Sequence, residues 1–202
     1  MQSEDILASA DFKKCVDFHG HLCPGLSLGY KASRAGMEWL RSTRAVDEEV
    51  VAIVETDACC ADAVQVITGC TFGKGNFFYK DYGKIAFTFI NRKTGKGVRL
   101  SLKPETLSSD PRHQELMGKL KDTTASQSER AEFERLHKKR SLDILEKPVE
   151  EIFALQEVNI DPPQKAKIEP SKSCELCGEP TMGSKLSEVN GRMICRGCSA
   201  SR

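Results

Sequence analysis

The sequence predicts an α+β fold, a mixed or antiparallel sheet packed with helices, followed by a small separate module at the C-terminus. Three observations carry this expectation. Helix-spaced apolar residues flank one short apolar run at 50–55. Three segments rich in branched and aromatic residues follow between 76 and 102, joined by glycine-containing connections. A stretch rich in proline and lysine then sets off a tail in which cysteines recur as two C-x-x-C pairs. The expected division is a main domain over 1–158, a linker over 159–172 and a four-cysteine finger over 173–202.

In chain order, Ser3 is positioned to cap a helix from Glu4 to about Phe18, with Ile6, Leu7, Ala10 and Cys15 near one stripe. Pro24 suits the first turn of a second helix, running to about Arg41. Val50 to Glu55 reads as a buried strand and Asp57 to Ile67 as a third helix that stops near Gly69. Asn76 to Tyr79, Ile85 to Asn91 and Val98 to Leu102 read as antiparallel strands, with a hairpin turn at Lys93 to Gly97. Pro111 to Lys121 and Ser128 to Leu145 read as helices with mixed-charge outer faces, where runs such as Lys138 to Arg140 are solvated surface. Pro148 to Val158 fits helix or strand.

Composition excludes several function classes. Lysine and arginine number 30 against 29 acidic residues in 202, so no global field draws the chain to nucleic acid or to an anionic membrane. No apolar run approaches the roughly 18 residues that cross a bilayer. The first residues lack the basic-then-apolar order of a secretory signal, which points to the cytoplasm. Nine cysteines, an odd number, then favour metal and thiol chemistry over disulfides.

Cys174-x-x-Cys177 and Cys195-x-x-Cys198 have the spacing by which two short turns close a tetrahedral zinc site. Gly178 lets the first turn bring amides toward the sulfurs, and Asn190-Gly191 supplies a type I′ hairpin between the pairs. So few apolar residues accompany them that metal binding must supply most of the folding free energy. Turn, hairpin and second pair resemble a treble-clef finger with only 199–202 left for its helix. From Gln164 to Arg202 there are seven basic and four acidic residues; a zinc tetrathiolate adds about two negative charges, which weighs against nucleic-acid binding and for a structural or protein-contact role.

The segment Asp17-Phe-His-Gly-His-Leu-Cys-Pro-Gly25 spaces His19, His21 and Cys23 two apart, so an extended backbone would put them on one side. Cys23, just ahead of a helix start, reads as an activated thiol or a metal ligand. Glu55-Thr-Asp-Ala-Cys-Cys-Ala-Asp-Ala-Val-Gln65 follows the first strand. If Cys59 meets Cys23, the two cysteines with His19 and His21 make a mixed nitrogen and sulfur site for zinc or another borderline metal. Asp62 and Gln65 share a helical face and can orient ligands or substrate. Cys60 points elsewhere. Gly69-Cys-Thr-Phe-Gly-Lys-Gly-Asn76 falls short of a phosphate-binding loop, yet Lys74 and Asn76 among its glycines can offer a charge and amides to an anionic group. Cys70 is either a neighbour of the metal site or a core thiol.

Phe18-His-Gly-His-Leu-Cys-Pro-Gly-Leu-x-Leu-Gly-Tyr30, Asp57-Ala-Cys, Asp62-Ala-Val-Gln65 and Thr68-Gly-Cys-Thr-Phe-Gly-Lys-Gly-Asn76 together resemble the FmdE family of formylmethanofuran dehydrogenase proteins over roughly 10–150. The tail looks like the finger carried by some members. The resemblance implies an α+β homodimer with the histidine and cysteine motifs at its site, serving a molybdenum or tungsten oxidoreductase of C1 metabolism. Where the family usually has a small residue, this chain has Cys60, and position favours Cys59 as ligand. The leading expectation is a metal-binding accessory protein with structural zinc in the tail and a second metal or small cofactor in the core at His21, Cys23 and Cys59. Two alternatives remain open: an enzyme in which Cys23 or metal-bound water attacks a C1 or thiol-type substrate, and a ligand-sensing regulator whose finger contacts protein or nucleic acid.

Overall fold

A computed structural model describes residues 3–107 and 110–200; the last two positions of the expected finger, 201 and 202, lie outside the described residues. The chain divides into two compact units, Met1–Lys165 and Ala166–Arg202.

Helices α1 (Ser3–Ala8) and α2 (Ala10–His19) replace the single helix expected over 4–18. Ser9 breaks it. Its backbone is extended, and its hydroxyl accepts from the Phe12 amide while donating to the Ile6 carbonyl at 2.7 Å, so one side chain ends the first helix and caps the second. Helix α3 (Pro24–Trp39) starts at Pro24 as expected, with Cys23 as its N-cap. Strand β1 (Val50–Val54) leads to helix α4 (Cys60–Thr68), which stops at Gly69 in the left-handed region.

Strands β2 (Phe77–Tyr79), β3 (Ala86–Asn91), β4 (Lys96–Leu102) and β5 (Phe153–Asn159) complete a five-stranded sheet in the order β2-β1-β3-β4-β5. The expectation of antiparallel pairing fails at one place. β2 runs parallel to β1, with Ala52 opposite Phe77, because α4 intervenes and returns the chain in the same direction. β1-β3, β3-β4 and β4-β5 are antiparallel. Between β4 and β5 lie α5 (Pro111–Lys121), α6 (Gln127–Glu146) and the short α7 (Val149–Ile152). The ambiguous segment after Pro148 is therefore both helix and strand. A reciprocal bond pair between Ser126 and Glu129 fixes the start of α6.

Alternate residues of β1, with Phe87, Phe89, Val98, Leu100 and Phe153, form one face of the main core under the helices. Glycines let α3 lie against both of its supports. A Cβ at Gly29 would stand 2.2 Å from the Cys60 carbonyl oxygen of α4, and one at Gly36 would stand 2.1 Å from the Phe89 ring of β3. The start of α3 and the start of α4 are thereby held side by side. At the end of β1, buried Glu55 receives a two-pronged ion pair from Arg99 of β4 at 2.8 and 2.9 Å, which holds the Glu55 carboxyl below its ordinary range.

The second unit contains two small antiparallel pairs, β6 (Ser171–Ser173) with β7 (Pro180–Met182) and β8 (Leu186–Val189) with β9 (Arg192–Cys195), then helix α8 (Arg196–Ala200). Residues 171 and 172, expected as linker, belong to β6. The helix starts three residues earlier than expected, so Cys198 rides on it. Asn190 and Gly191 both have positive φ, as a type I′ hairpin requires. Among the described residues of this unit, buried apolar packing is limited to Cys174, Leu186 and Ile194, with Val189, Cys195 and Cys198 against them.

Candidate metal centres and an adjoining cavity

The tail gathers its four thiols in one place. The sulfurs of Cys174, Cys177, Cys195 and Cys198 all lie within 4.8 Å of one another. Cys174 and Cys198 are 3.9 Å apart, and Cys177 and Cys195 are 4.0 Å apart. A zinc ion with bonds of about 2.3 Å to sulfur sets the edges of its tetrahedron at about 3.8 Å, so these residues fit zinc. Amides of Cys195 and Cys198 point at the sulfurs of Cys174 and Cys195. The amide of Cys177, with those of Cys195 and Leu176, brings the Cys174 thiol down to about 6; hydrogen bonding to Cys195 and Cys177 pushes the Cys198 thiol up to about 12. Thiols so close cannot all ionise unless a cation joins them.

In the main unit, one ligand atom each from His19, His21 and Cys23 also lies within 4.8 Å of the others. The convergence does not come from the extended backbone that the spacing predicts. His19 is the last residue of α2, Gly20 turns the chain at φ +96°, and Cys23 caps α3, so a helix-to-helix corner brings the three together. The two imidazole rings stand 4.5 Å apart. His19 Nε2 lies 3.7 Å from Cys23 Sγ, close to the roughly 3.5 Å that a shared tetrahedral zinc imposes on sulfur and nitrogen. His19 Nδ1 lies 2.7 Å from Asp62 Oδ2 on α4. A carboxylate behind a histidine fixes which nitrogen is free to ligate.

Cys59 lies outside that tight triad but beside it. It is near enough to raise the Cys23 thiol, and a Cβ on Gly25 would come within 3.0 Å of the Cys59 Cβ. Only glycine lets the first turn of α3 meet Cys59 so closely. The expectation of an activated Cys23 is corrected here. The Leu26 amide does donate to its sulfur at 3.3 Å, but burial outweighs the amides and pushes the thiol up to about 11. Without a cation, Cys23 is a protonated thiol at neutral pH.

The other expected site residues divide. Asp62 reaches the triad, whereas Gln65 is half-buried one turn further along α4. Lys74 and Asn76 serve the backbone instead of an anion. Lys74 Nζ donates to the carbonyls of Ala45 and Val46; Asn76 donates to those of Asp47 and Val50 and accepts from the Thr71 amide. Of these carbonyls, those of Ala45, Val46 and Asp47 lie in the loop before β1 and draw in the nearest donors. Cys70 donates to the Val50 carbonyl as a buried core thiol, and Cys60 is buried under α3.

Sequence reasoning missed His113 and His137. Both line a cavity of about 410 Å³ whose opposite side is Cys23, Pro24, Gly25 and Cys59. His113 Nε2 and His137 Nδ1 are 3.0 Å apart, and Phe133 stacks on both rings. Burial lowers both imidazoles below their ordinary value, and the neighbouring charge of Arg140 acts in the same direction. The chain has four histidines. Two stand in the triad and two line the cavity beside Cys23. That count was the available signal, since a scarce residue type placed on an otherwise charged helix has no surface reason to be there.

Residues 18–154 match the family model described as FmdE, molybdenum formylmethanofuran dehydrogenase operon. A protein of Archaeoglobus fulgidus described as a probable S-adenosyl-L-methionine-binding protein is 34% identical over 195 residues, covering 93% of this chain and 52% of that protein. The chain thus spans about half the length of that curated relative. The crystal structure of a tungsten formylmethanofuran dehydrogenase FmdE-like protein from Syntrophus aciditrophicus aligns with a TM-score of 0.63 at 24% identity, covering 98% of this chain and 92% of that one. At that identity the likeness concerns the fold. Among the described residues no helix is long and apolar enough to cross a membrane.

Proposed function

Because the chain belongs to the FmdE family, we propose that it is a metal-binding accessory protein with two centres: a structural zinc on the tail cysteines and a second metal ion on His19, His21 and Cys23 beside Cys59. One observation carries the core centre. Three potential ligand atoms lie within 4.8 Å of one another, and a carboxylate already holds the ring of one of them. Three protein ligands with a fourth position open to a thiol, water or substrate are the arrangement of reactive centres rather than of structural ones. When bound there, a zinc-like ion supplies a cation that makes thiols and bound molecules more acidic. The protein's own part is to orient His19 through Asp62, to hold Cys23 with the Leu26 amide, and to keep one side of the site apolar.

The family's description, a molybdenum formylmethanofuran dehydrogenase operon, is what supports the further proposal that the chain serves such an oxidoreductase; that it does so as a homodimer is proposed from the resemblance alone. The Archaeoglobus relative is about twice as long, and the ligand in its description is not carried over to this chain.

Elemental analysis of the full-length protein tests this reading. One ion per cluster is expected, with Cys23→Ser removing the core ion and Cys177→Ser the tail ion. Metal content unchanged by Cys23→Ser would overturn the core centre.

A further inference from the structure

The cavity beside Cys23 carries chemistry that the metal ligands do not explain. Its walls are apolar, with Leu28 of α3, Ile85, Leu102 and residues Met117 and Ile144 of α5 and α6. Arg140 is the one formally charged side chain of the lining. The two histidines that share the lining are held toward the neutral form by burial. Among the described residues no carboxylate forms an ion pair with Arg140. Arg140 also borders a neighbouring hollow with Asp110 and Asp143; there Asp143 pairs with Lys139 at 2.7 Å, and Asp110 caps α5 by accepting from the Arg112 amide at 2.8 Å. The His113 ring lines the cavity beside it, while its Nδ1 is buried without a hydrogen-bond partner and has no surface open to the cavity.

A half-buried guanidinium facing an apolar cavity stays short of a counter-ion that water supplies elsewhere, and a planar carboxylate matches its paired N–H groups. One cation balances one negative charge. A phosphate ester carries more charge than this lining can neutralise, and a cationic ligand would meet repulsion with no carboxylate to relieve it. The volume, about 410 Å³, falls within the range of small-molecule sites.

We propose that this cavity binds a small organic monocarboxylate, its carboxylate on Arg140 and its apolar body along Leu28, Ile85, Leu102, Met117 and Ile144 toward Cys23 and Cys59. The pocket deepens the proposed metal site by naming what approaches it, and it rests on that reading only for what happens at the thiol end; carboxylate binding itself needs no metal.

The test is a ¹H–¹⁵N shift titration of the full-length protein, metal-loaded and after chelation, with hexanoate, hexanol, hexylamine and inorganic phosphate as probes. Hexanoate is expected to bind about tenfold or more tightly than hexanol, with shifts at Arg140 and His113, and hexylamine to bind less well than either. Arg140→Gln is expected to abolish the preference for hexanoate and keep the binding of hexanol; Ile144→Trp, which fills the cavity, is expected to weaken both. Equal binding of hexanoate and hexanol, tighter binding of phosphate than of hexanoate, or an Arg140→Gln variant that keeps the preference would overturn the proposal. The metal content of the same samples separates the two ideas. Metal present without hexanoate binding sinks the pocket alone, and hexanoate binding in protein that never holds a core ion sinks the metal site alone.

Discussion

Asp62 holds His19: its Oδ2 lies 2.7 Å from Nδ1 of the imidazole, leaving Nε2 facing Cys23 Sγ at 3.7 Å. The carboxylate sits on α4 and the histidine at the end of α2, so two helices must be in place before the ring is aimed. Asp62→Asn keeps the shape, but its amide can hydrogen-bond to either tautomer. The expected result is a core metal affinity lower by about 10- to 100-fold with the tail ion retained, read by competition with a chromophoric chelator. An unchanged core affinity would show that the contact does not position the ligand.

Metal uptake at the core must displace a proton from Cys23, because burial holds this thiol at about 11 in the metal-free protein. Below that value the bound form carries one proton fewer than the free form. Affinity is therefore expected to rise about tenfold per pH unit between pH 6 and 8, and to level off only as the pH approaches the thiol's own value. Calorimetry in buffers of different ionisation enthalpy counts the protons released. A pH-independent affinity would remove Cys23 from the ligand set.

Among its described residues the tail unit has two buried aliphatic side chains, Leu186 and Ile194, to hold it. Each contributes about 1.5–3 kcal/mol, against a backbone ordering cost of about 1 kcal/mol or more for every residue fixed. Chelation is expected to unfold residues 171–200, seen as loss of amide protection there, while residues of β1, β3 and β4 stay protected. Cys198→Ser should mimic it. Because the Cys198 thiol lies near 12 without metal, acidification should release the ion before it disturbs the main unit.

Which parts were legible follows from what each residue must do locally. The tail could be read because its C-x-x-C turns and Asn190-Gly191 encode geometry within a few residues. The His19 to Cys23 motif announced its chemistry, although the shape that unites it is a corner and not the extended segment that its spacing suggests. Strand direction was less readable. Phe77 to Tyr79 has the composition of any strand, and only the helix between it and β1 signalled a parallel return. His113 and His137 were hidden because their role depends on α5 and α6 reaching a cavity whose other side is formed some ninety residues earlier. Lys74 misled for the opposite reason. Its glycine neighbours look like an anion-binding loop, but the carbonyls of Ala45 and Val46 claim its charge first.

Gly29 controls how closely α3 approaches α4, and two opposing effects make its replacement decisive. Alanine in a helix interior is favoured over glycine by about 1 kcal/mol. Here the added Cβ would stand 2.2 Å from the Cys60 carbonyl oxygen and 2.7 Å from its Cα, both backbone atoms that no rotamer change can move. Overpacking of this kind costs about 1–3 kcal/mol, so the clash outweighs the propensity gain. Gly29→Ala is expected to lower the stability of the main unit, read from the midpoint of urea unfolding. It should also weaken core metal binding, because the separation of α3 from α4 carries Cys23 away from Cys59 and from the His19 ring that Asp62 of α4 holds. Gly118→Ala is the control. Nothing lies within 4 Å of a Cβ at that position of α5, so propensity alone acts and the variant should be more stable. A Gly29→Ala protein as stable as the Gly118→Ala control would mean that the two helices can part at no cost, and that the closeness of Cys23 to Cys59 is not imposed by their packing.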